Sequence, residues 1–387
     1  MLTVVLASIS LAIWLYLLAG RSGFWRCAER DEALAHDPSV WPRVTAVVPA
    51  RNEAECIALS ITSLLRQDYP GPWSVLLVDD DSSDATADIA RRAAAALGIG
   101  ELRVVAGRPL PSGWTGKLWA VAQGVDAAME AHGANASHYL LLTDADIVHA
   151  SDSLRALVAH AEQDGLVLNS RMVKLRCESA TERAHVPAFI FFFQMLYPFA
   201  AVNRPDSSVA AAAGGCMLVR ADALRKSGGI AAVRSALIDD CALAGLLKEQ
   251  GPIWLALTER AYSIRAYPAL SDIRHMVARS AYAQLRYSPL LLIGTVAGMA
   301  LTYLVPPAMA LFGGGAARVI GVVTWLLMAA AFQPVLRLYR VSPLWGFALP
   351  AIAFQYLLFT IDSAYQHARG RGGSWKGRVQ AKLSERA

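Results

Sequence analysis

Charged residues are scarce in this 387-residue chain: Asp, Glu, Lys and Arg together make 17% of it, against 55% for the hydrophobic types. A soluble globular chain usually holds about 25% charged and about 45–50% apolar residues. That shortage excludes a disordered chain, and an ordinary cytosolic enzyme too unless the apolar excess is gathered in one place. Cysteine is also sparse. Cys27, Cys56, Cys177, Cys216 and Cys241 are odd in number and contain no CxxC pair. This argues against a disulfide framework or zinc site, and for a reduced setting of the polar region. The polar middle carries no basic stripe interleaved with aromatics, so no nucleic-acid partner is expected.

The apolar excess is gathered. Residues 4–18, 287–317, 319–334 and 341–361 carry no charge, and a transmembrane helix needs ~20 apolar residues. The expected plan is therefore an N-terminal membrane anchor at 1–20, a polar domain at 41–286, a C-terminal membrane region at 287–363 and a basic tail at 364–387. No basic residue precedes the first run and no A-x-A site follows Leu18, so it reads as a retained anchor rather than a signal peptide. Much of the +5 net charge flanks the runs, at Arg21, Arg26, Arg30, Arg337, Arg340 and from Arg369 to Arg386. Basic flanks favour the cytoplasm. Three crossings after Arg286 would put the basic tail outside, so two or three spans are expected. The run 290–312, broken by Pro306 and Pro307, is the re-entrant candidate because proline frees backbone groups that need other partners.

Between the apolar ends the pattern alternates. Short β-branched or apolar runs at 43–49, 74–78, 102–105 and 139–143 are separated by helical patterns at 52–67, 85–97 and 117–132. Such alternation predicts an α/β domain with a mainly parallel sheet, whose ligands sit at the carboxyl ends of the strands. The first run leads into Pro49-Ala-Arg51-Asn52-Glu53, the second into Asp79-Asp80-Asp81-Ser82-Ser83-Asp84, and the fourth into Asp144-Ala-Asp146. Asn52 or Ser83 could simply cap helices. The Asp144/Asp146 pair points further: Mg²⁺ or Mn²⁺ takes one or two carboxylates plus substrate phosphate oxygens. Gly113-Trp-Thr-Gly116-Lys117 is not a Walker loop, since Pro111 and Leu118 occupy two of its required positions. It still carries Lys117 into a helix start, a plausible anion contact.

Together these motifs resemble the signature of family 2 glycosyltransferases over about 42–286. With the anchor, the Gly113–Trp119 stretch and the apolar tail, the resemblance is nearest to the hopene-associated glycosyltransferases of bacterial hopanoid pathways. Ceramide and carotenoid glycosyltransferases are similar. The resemblance implies a GT-A nucleotide-diphospho-sugar transferase fold beside transmembrane helices. Pro49, Arg51 and Glu53 would border base and ribose, and Asp79 or Asp80 would accept a hydrogen bond from uracil. Lys117 would lie near the nucleotide. Asp144 and Asp146 would bind ribose and the diphosphate-bound Mg²⁺ or Mn²⁺.

On the acceptor side, Gly214, Gly215 and Cys216 match the family's glycine-rich segment, though an ordinary strand start would look the same. Leu237-Ile-Asp239-Asp240-Cys-Ala-Leu243 is similar to the motif whose second acid is the catalytic base. Asp240 is therefore the expected base, with Asp239 the alternative. Arg279 can serve as the arginine of a Q/R-x-x-R-W motif, but Met276 and Ser280 replace its other members, which favours a single transfer over polymer synthesis. The implied activity is inverting transfer of one sugar, UDP-linked, to a membrane lipid of the hopanoid pathway. Polyprenyl phosphate, carotenoid or ceramide-like acceptors are alternatives, and a non-catalytic membrane partner is the alternative of another class. The implied setting is the bacterial inner membrane, with the catalytic domain cytoplasmic. The aromatic run 187–199 is expected to be too short to span, and to be either a core helix or an interfacial one.

Overall fold

The computed structural model describes the chain except for residues 32–35, 100, 133–137, 371–373, 376–377 and 380–387. Of the basic tail, Arg371, Lys376, Lys382 and Arg386 thus lie outside the described residues. The chain divides into two compact units, each discontinuous in sequence. One takes Glu29–Leu175 and Val202–Arg265 together with Ser374–Ala387; the other takes Met1–Ala28, Arg176–Ala201 and Ala266–Gly373.

The first unit holds the sheet. Its strands are β1 (Arg43–Ala50), β2 (Trp73–Asp79), β3 (Leu102–Ala106), β4 (His138–Leu142), β5 (Ile147–His149), β6 (Leu168–Lys174), β7 (Met217–Arg220) and β8 (Ile253–Ser263). Their order is β3-β2-β1-β4-β7-β6-β8-β5. The first four are mutually parallel, as expected. Beyond them the sheet is mixed: β7 runs antiparallel to both β4 and β6, β8 is parallel to β6, and β5 is antiparallel to β8. Alternation along β1 explains its two packed faces. Val44, Ala46 and Val48 share a core with Ile57, Ile61 and Leu64, all fully buried on helix Ile57–Leu65. Their i, i+4, i+7 spacing makes one helical stripe, each side chain contributing about 1.5–3 kcal/mol. Val47 faces helix Gly116–His132 instead. A Cβ on Gly124 of that helix would lie 2.4 Å from Val47 Cγ1, so the helix lies nearly flat on the strand.

Helix Ile57–Leu65 starts five residues later than its apolar pattern predicts. Asn52 adopts a left-handed backbone conformation at φ +52°, and residues 52–54 bind the loop after β2 rather than the helix. Neither Asn52 nor Ser83 is a helix cap; those positions fall to Cys56 and Ala85.

The second unit is helical. Five helices or helical stretches among the described residues are long and apolar enough to cross a membrane: Leu2–Gly20, Ala180–Val202, Pro289–Phe312, Gly315–Leu338 and Trp345–Ala368. The aromatic run 187–199 thus belongs to a 23-residue stretch and is not too short by length. The connectivity of the chain argues against a single crossing. The chain enters it from β6 and leaves it for β7, two directly paired strands of one sheet, and a single crossing would put them on opposite sides of the bilayer.

Pro289–Phe312 is interrupted by a π-helical turn at Ala300–Leu304, just before Pro306 and Pro307. Proline has no N–H, so Pro306 leaves the Thr302 carbonyl without its usual helical donor. The Trp14 indole N–H supplies one at 2.8 Å. Arg21, at the end of the first helix, donates to the terminal carbonyls of Met195 and Leu196 at 3.1 and 3.0 Å.

Candidate active site

Parallel pairing of β1, β2 and β4 delivers their following loops to one sheet edge. The first two loops are knitted together. Asn52 accepts from the Ser83 N–H at 2.8 Å and donates its own N–H to Ser82 Oγ at 3.0 Å. The Glu53 N–H donates to Thr86 Oγ1 at 2.8 Å, and the Ala54 N–H to Asp84 at 3.1 Å. Arg51 spans the same seam, donating to the carbonyls of Asp80 and Asp81. Asp80 is fully buried, its carboxylate 4.0 Å from that guanidinium, and Asp79 is half-buried.

A cleft in this unit brings together Pro49, Lys117, Asp144, Gly214, Asp239 and Asp240. Thr115 sets up its cationic member: its hydroxyl accepts the Leu118 N–H at 3.3 Å and starts helix Gly116–His132. Lys117 Nζ then sits 2.8 Å from Asp144 Oδ1 and 3.8 Å from Asp239 Oδ2. Burial alone would lower the lysine's pKa, but Asp144 and Asp239 outweigh it and hold the group charged. Burial pushes Asp144 upward against the pull of Lys117. One ammonium therefore joins a carboxylate from the β4 loop to the acid pair that opens helix Asp239–Lys248.

Asp240 is fixed by two backbone donors, Gly214 N–H at 3.0 Å and Cys241 N–H at 2.8 Å. Burial and the neighbouring Asp239 raise its pKa to about 6, a value suited to a base working near neutrality. At Gly214 a Cβ would lie 3.4 Å from Lys117 Nζ and 3.5 Å from Asp240 Oδ2, ordinary contact distances that leave room for a methyl group. Its neighbours differ. Gly215 packs on Val173, 2.9 Å from where its Cβ would be. The Cys216 side chain is fully buried in the core, with burial pushing its thiol up to about 12. It supports the segment from below and offers no surface to an acceptor. Arg279 ends helix Leu270–Ala278 in the other unit.

Two residues without any sequence motif complete the edge. Ser263, which ends β8, pairs with Ile147 of β5 and so lies beside Asp146. Its hydroxyl donates to Asp146 Oδ2 at 2.8 Å. Arg265 donates from Nε to the same oxygen at 3.1 Å, and from Nη2 to both oxygens of Glu53 at 2.8 Å. Only the β5–β8 pairing reveals them; in the sequence they are a lone serine and arginine after a strand.

The donor set fits a hard divalent cation. Asp144 Oδ2 and Asp146 Oδ1 take no hydrogen bond from the described residues, while their companion oxygens are held by Lys117, Ser263 and Arg265. Among the described residues no cluster of three or more His, Cys, Asp or Glu forms a complete cage. Phosphate oxygens and water would have to fill the remaining positions, as is usual for Mg²⁺.

Residues 45–228 match the family model described as Glycosyl transferase family 2. That stretch is a glycosyltransferase family 2-like domain, and its likeness to a solved glycosyltransferase structure shows the GT-A fold. Among solved structures, the mannosyltransferase PcManGT from Pyrobaculum calidifontis, in complex with GDP-Man and Mn²⁺, is similar over 91% of this chain and 99% of its own. The identity is 20% and the TM-score 0.53. S. aureus TarS 1–349 aligns over 85% of this chain and 92% of its own, at 14% identity and TM-score 0.40. M. tuberculosis glucosyl-3-phosphoglycerate synthase aligns over 63% and 80%, at 18% and 0.39. No curated protein matches the chain.

Proposed function

We propose that this enzyme moves one sugar, with inversion, from a UDP-sugar to the hydroxyl of a membrane lipid, and that the lipid belongs to hopanoid biosynthesis. The observation that carries the reading is the Asp144–Lys117–Asp239/Asp240 array, which sets a buried base beside a carboxylate of the donor edge. Asp240 takes the acceptor hydroxyl's proton while the oxygen attacks the anomeric carbon and the nucleotide diphosphate leaves. Gly214 N–H and Cys241 N–H hold the carboxylate in one orientation through that step. Lys117 keeps Asp144 and the acid pair at fixed spacing and offers positive charge near the leaving group. Asp144 and Asp146 would hold Mg²⁺ or Mn²⁺, which supplies charge neutralisation to a diphosphate when bound.

The five apolar helices support a lipid acceptor and a bilayer setting. The basic flanks support the inner membrane with the catalytic domain in the cytoplasm. The hopanoid assignment rests on the motif resemblance, and lipid extracts of a deletion strain test it: one glycolipid should be missing beside wild type. For the base, Asp240→Asn should lower transfer by about 10²–10⁴-fold and leave UDP binding intact. Wild-type turnover in the purified variant would remove Asp240 from that role.

A further inference from the structure

Glu53 and Asp146 come from the loops after β1 and β4, and their side chains are 8% and 12% exposed. Two buried carboxylates at one edge repel each other, and Arg265 stands between them with a hydrogen bond to each. Its position matters for the cation because Asp146 is the only one of its ligands that Arg265 touches. The guanidinium and the Ser263 hydroxyl both bind Oδ2, and Oδ1 takes no hydrogen bond from the described residues. A dication at Oδ1 would meet a fixed positive charge only a few ångströms away, across a partly buried site where such repulsion is strong.

We propose that Arg265 is a positioning residue that sets how tightly the divalent cation binds. It holds Glu53 and Asp146 in register, and its charge weakens the cation at Asp146 so that firm binding awaits the donor's diphosphate. This rests on the reading of Asp146 as a cation ligand. Removing the charge should tighten the cation, because Ser263 still orients Asp146 and Glu53 loses its counter-charge.

The test is Mn²⁺ binding to the full-length protein in detergent, read from the EPR signal of free Mn²⁺ with and without UDP. Arg265→Gln should bind Mn²⁺ at least about tenfold more tightly than wild type without UDP, and the benefit of adding UDP should shrink. Unchanged or weaker binding overturns the proposal. If Arg265→Gln does not fold, the uncharged Arg265→Met and the charged Arg265→Lys give the same comparison: the Met variant should bind Mn²⁺ at least about tenfold more tightly than the Lys variant. Equal affinities overturn the proposal. A wild-type protein that binds no Mn²⁺ even with UDP overturns the cation reading of Asp146, and the role of Arg265 with it.

Discussion

A carboxylate can serve as a base near neutral pH only if something keeps its proton affinity above that of a solvated acid. For Asp240 burial does so first and Asp239 second, while Lys117 and two backbone donors pull the other way. The balance, about 6, has a signed consequence. Above that value Asp240 is ionised and able to take a proton; below it the group is occupied. The kcat/KM of transfer should therefore fall about tenfold per pH unit below about 6 and level off above it. A steady-state profile in purified membranes checks this. A limb that stays flat down to pH ~4.5 would assign the proton transfer to another group.

The same residues show what can be read without coordinates. Asp144, Asp146, Lys117 and Asp240 sit in short motifs after strands or at helix starts, where local spacing signals chemistry. Arg265 and Ser263 carry no such signal, because their role comes from β8 pairing with β5 more than a hundred residues away in the chain. Cys216 shows the converse. It stands inside the glycine-rich motif, yet side-chain direction along the segment sends its thiol into the core.

At the scale of elements, the parallel half of the sheet was legible because β-branched runs alternate there with amphipathic helices. The antiparallel half was not. β7 is four residues long, separated from a glycine pair by Cys216, and periodicity over four residues cannot distinguish a strand from a turn. Helix Ile57–Leu65 was misjudged at its start because Asn52–Ala54 bind across to the neighbouring loop, a tertiary contact that overrides the local helical pattern. The flat contact of helix Gly116–His132 with β1 depends on one missing methyl group. Gly124→Ala would place a Cβ 2.4 Å from Val47 Cγ1 and 3.0 Å from Val78 Cγ2. Helix or strand must shift, costing about 1–3 kcal/mol. Since this helix carries Lys117, activity should fall together with thermal stability. A melting temperature equal to wild type would show that the interface yields at no cost.

For the whole molecule, the question is which side of the membrane the C-terminus occupies. Three apolar helices follow Ser288, and straight passage of all three would part the tail from the catalytic domain. Contacts within the helical unit argue otherwise. Near the end of Trp345–Ala368, Asp362 lies 3.7 Å from Arg274. Ser363 accepts the Tyr282 N–H at 3.0 Å and donates to the Ala278 carbonyl, and His367 stacks on Tyr287 at 4.4 Å. Residues 274–287 follow the catalytic sheet with only two short helices between, Leu270–Ala278 and Ala281–Gln284. At 1.5 Å per residue neither can cross a bilayer about 30 Å thick. The end of the last helix is therefore expected on the same side of the membrane as residues 274–287, which predicts an even number of crossings between Pro289 and Ala368. This agrees with the basic character of the tail. It also requires that one of the three helices does not pass straight through, and the prolines and π turn of Pro289–Phe312 are the clearest interruption among them. Single cysteines placed after Gly370 and on the catalytic domain should react together with a membrane-impermeant maleimide, in inverted vesicles and not in intact cells. Labelling of the tail site in intact cells would mean that all three helices cross.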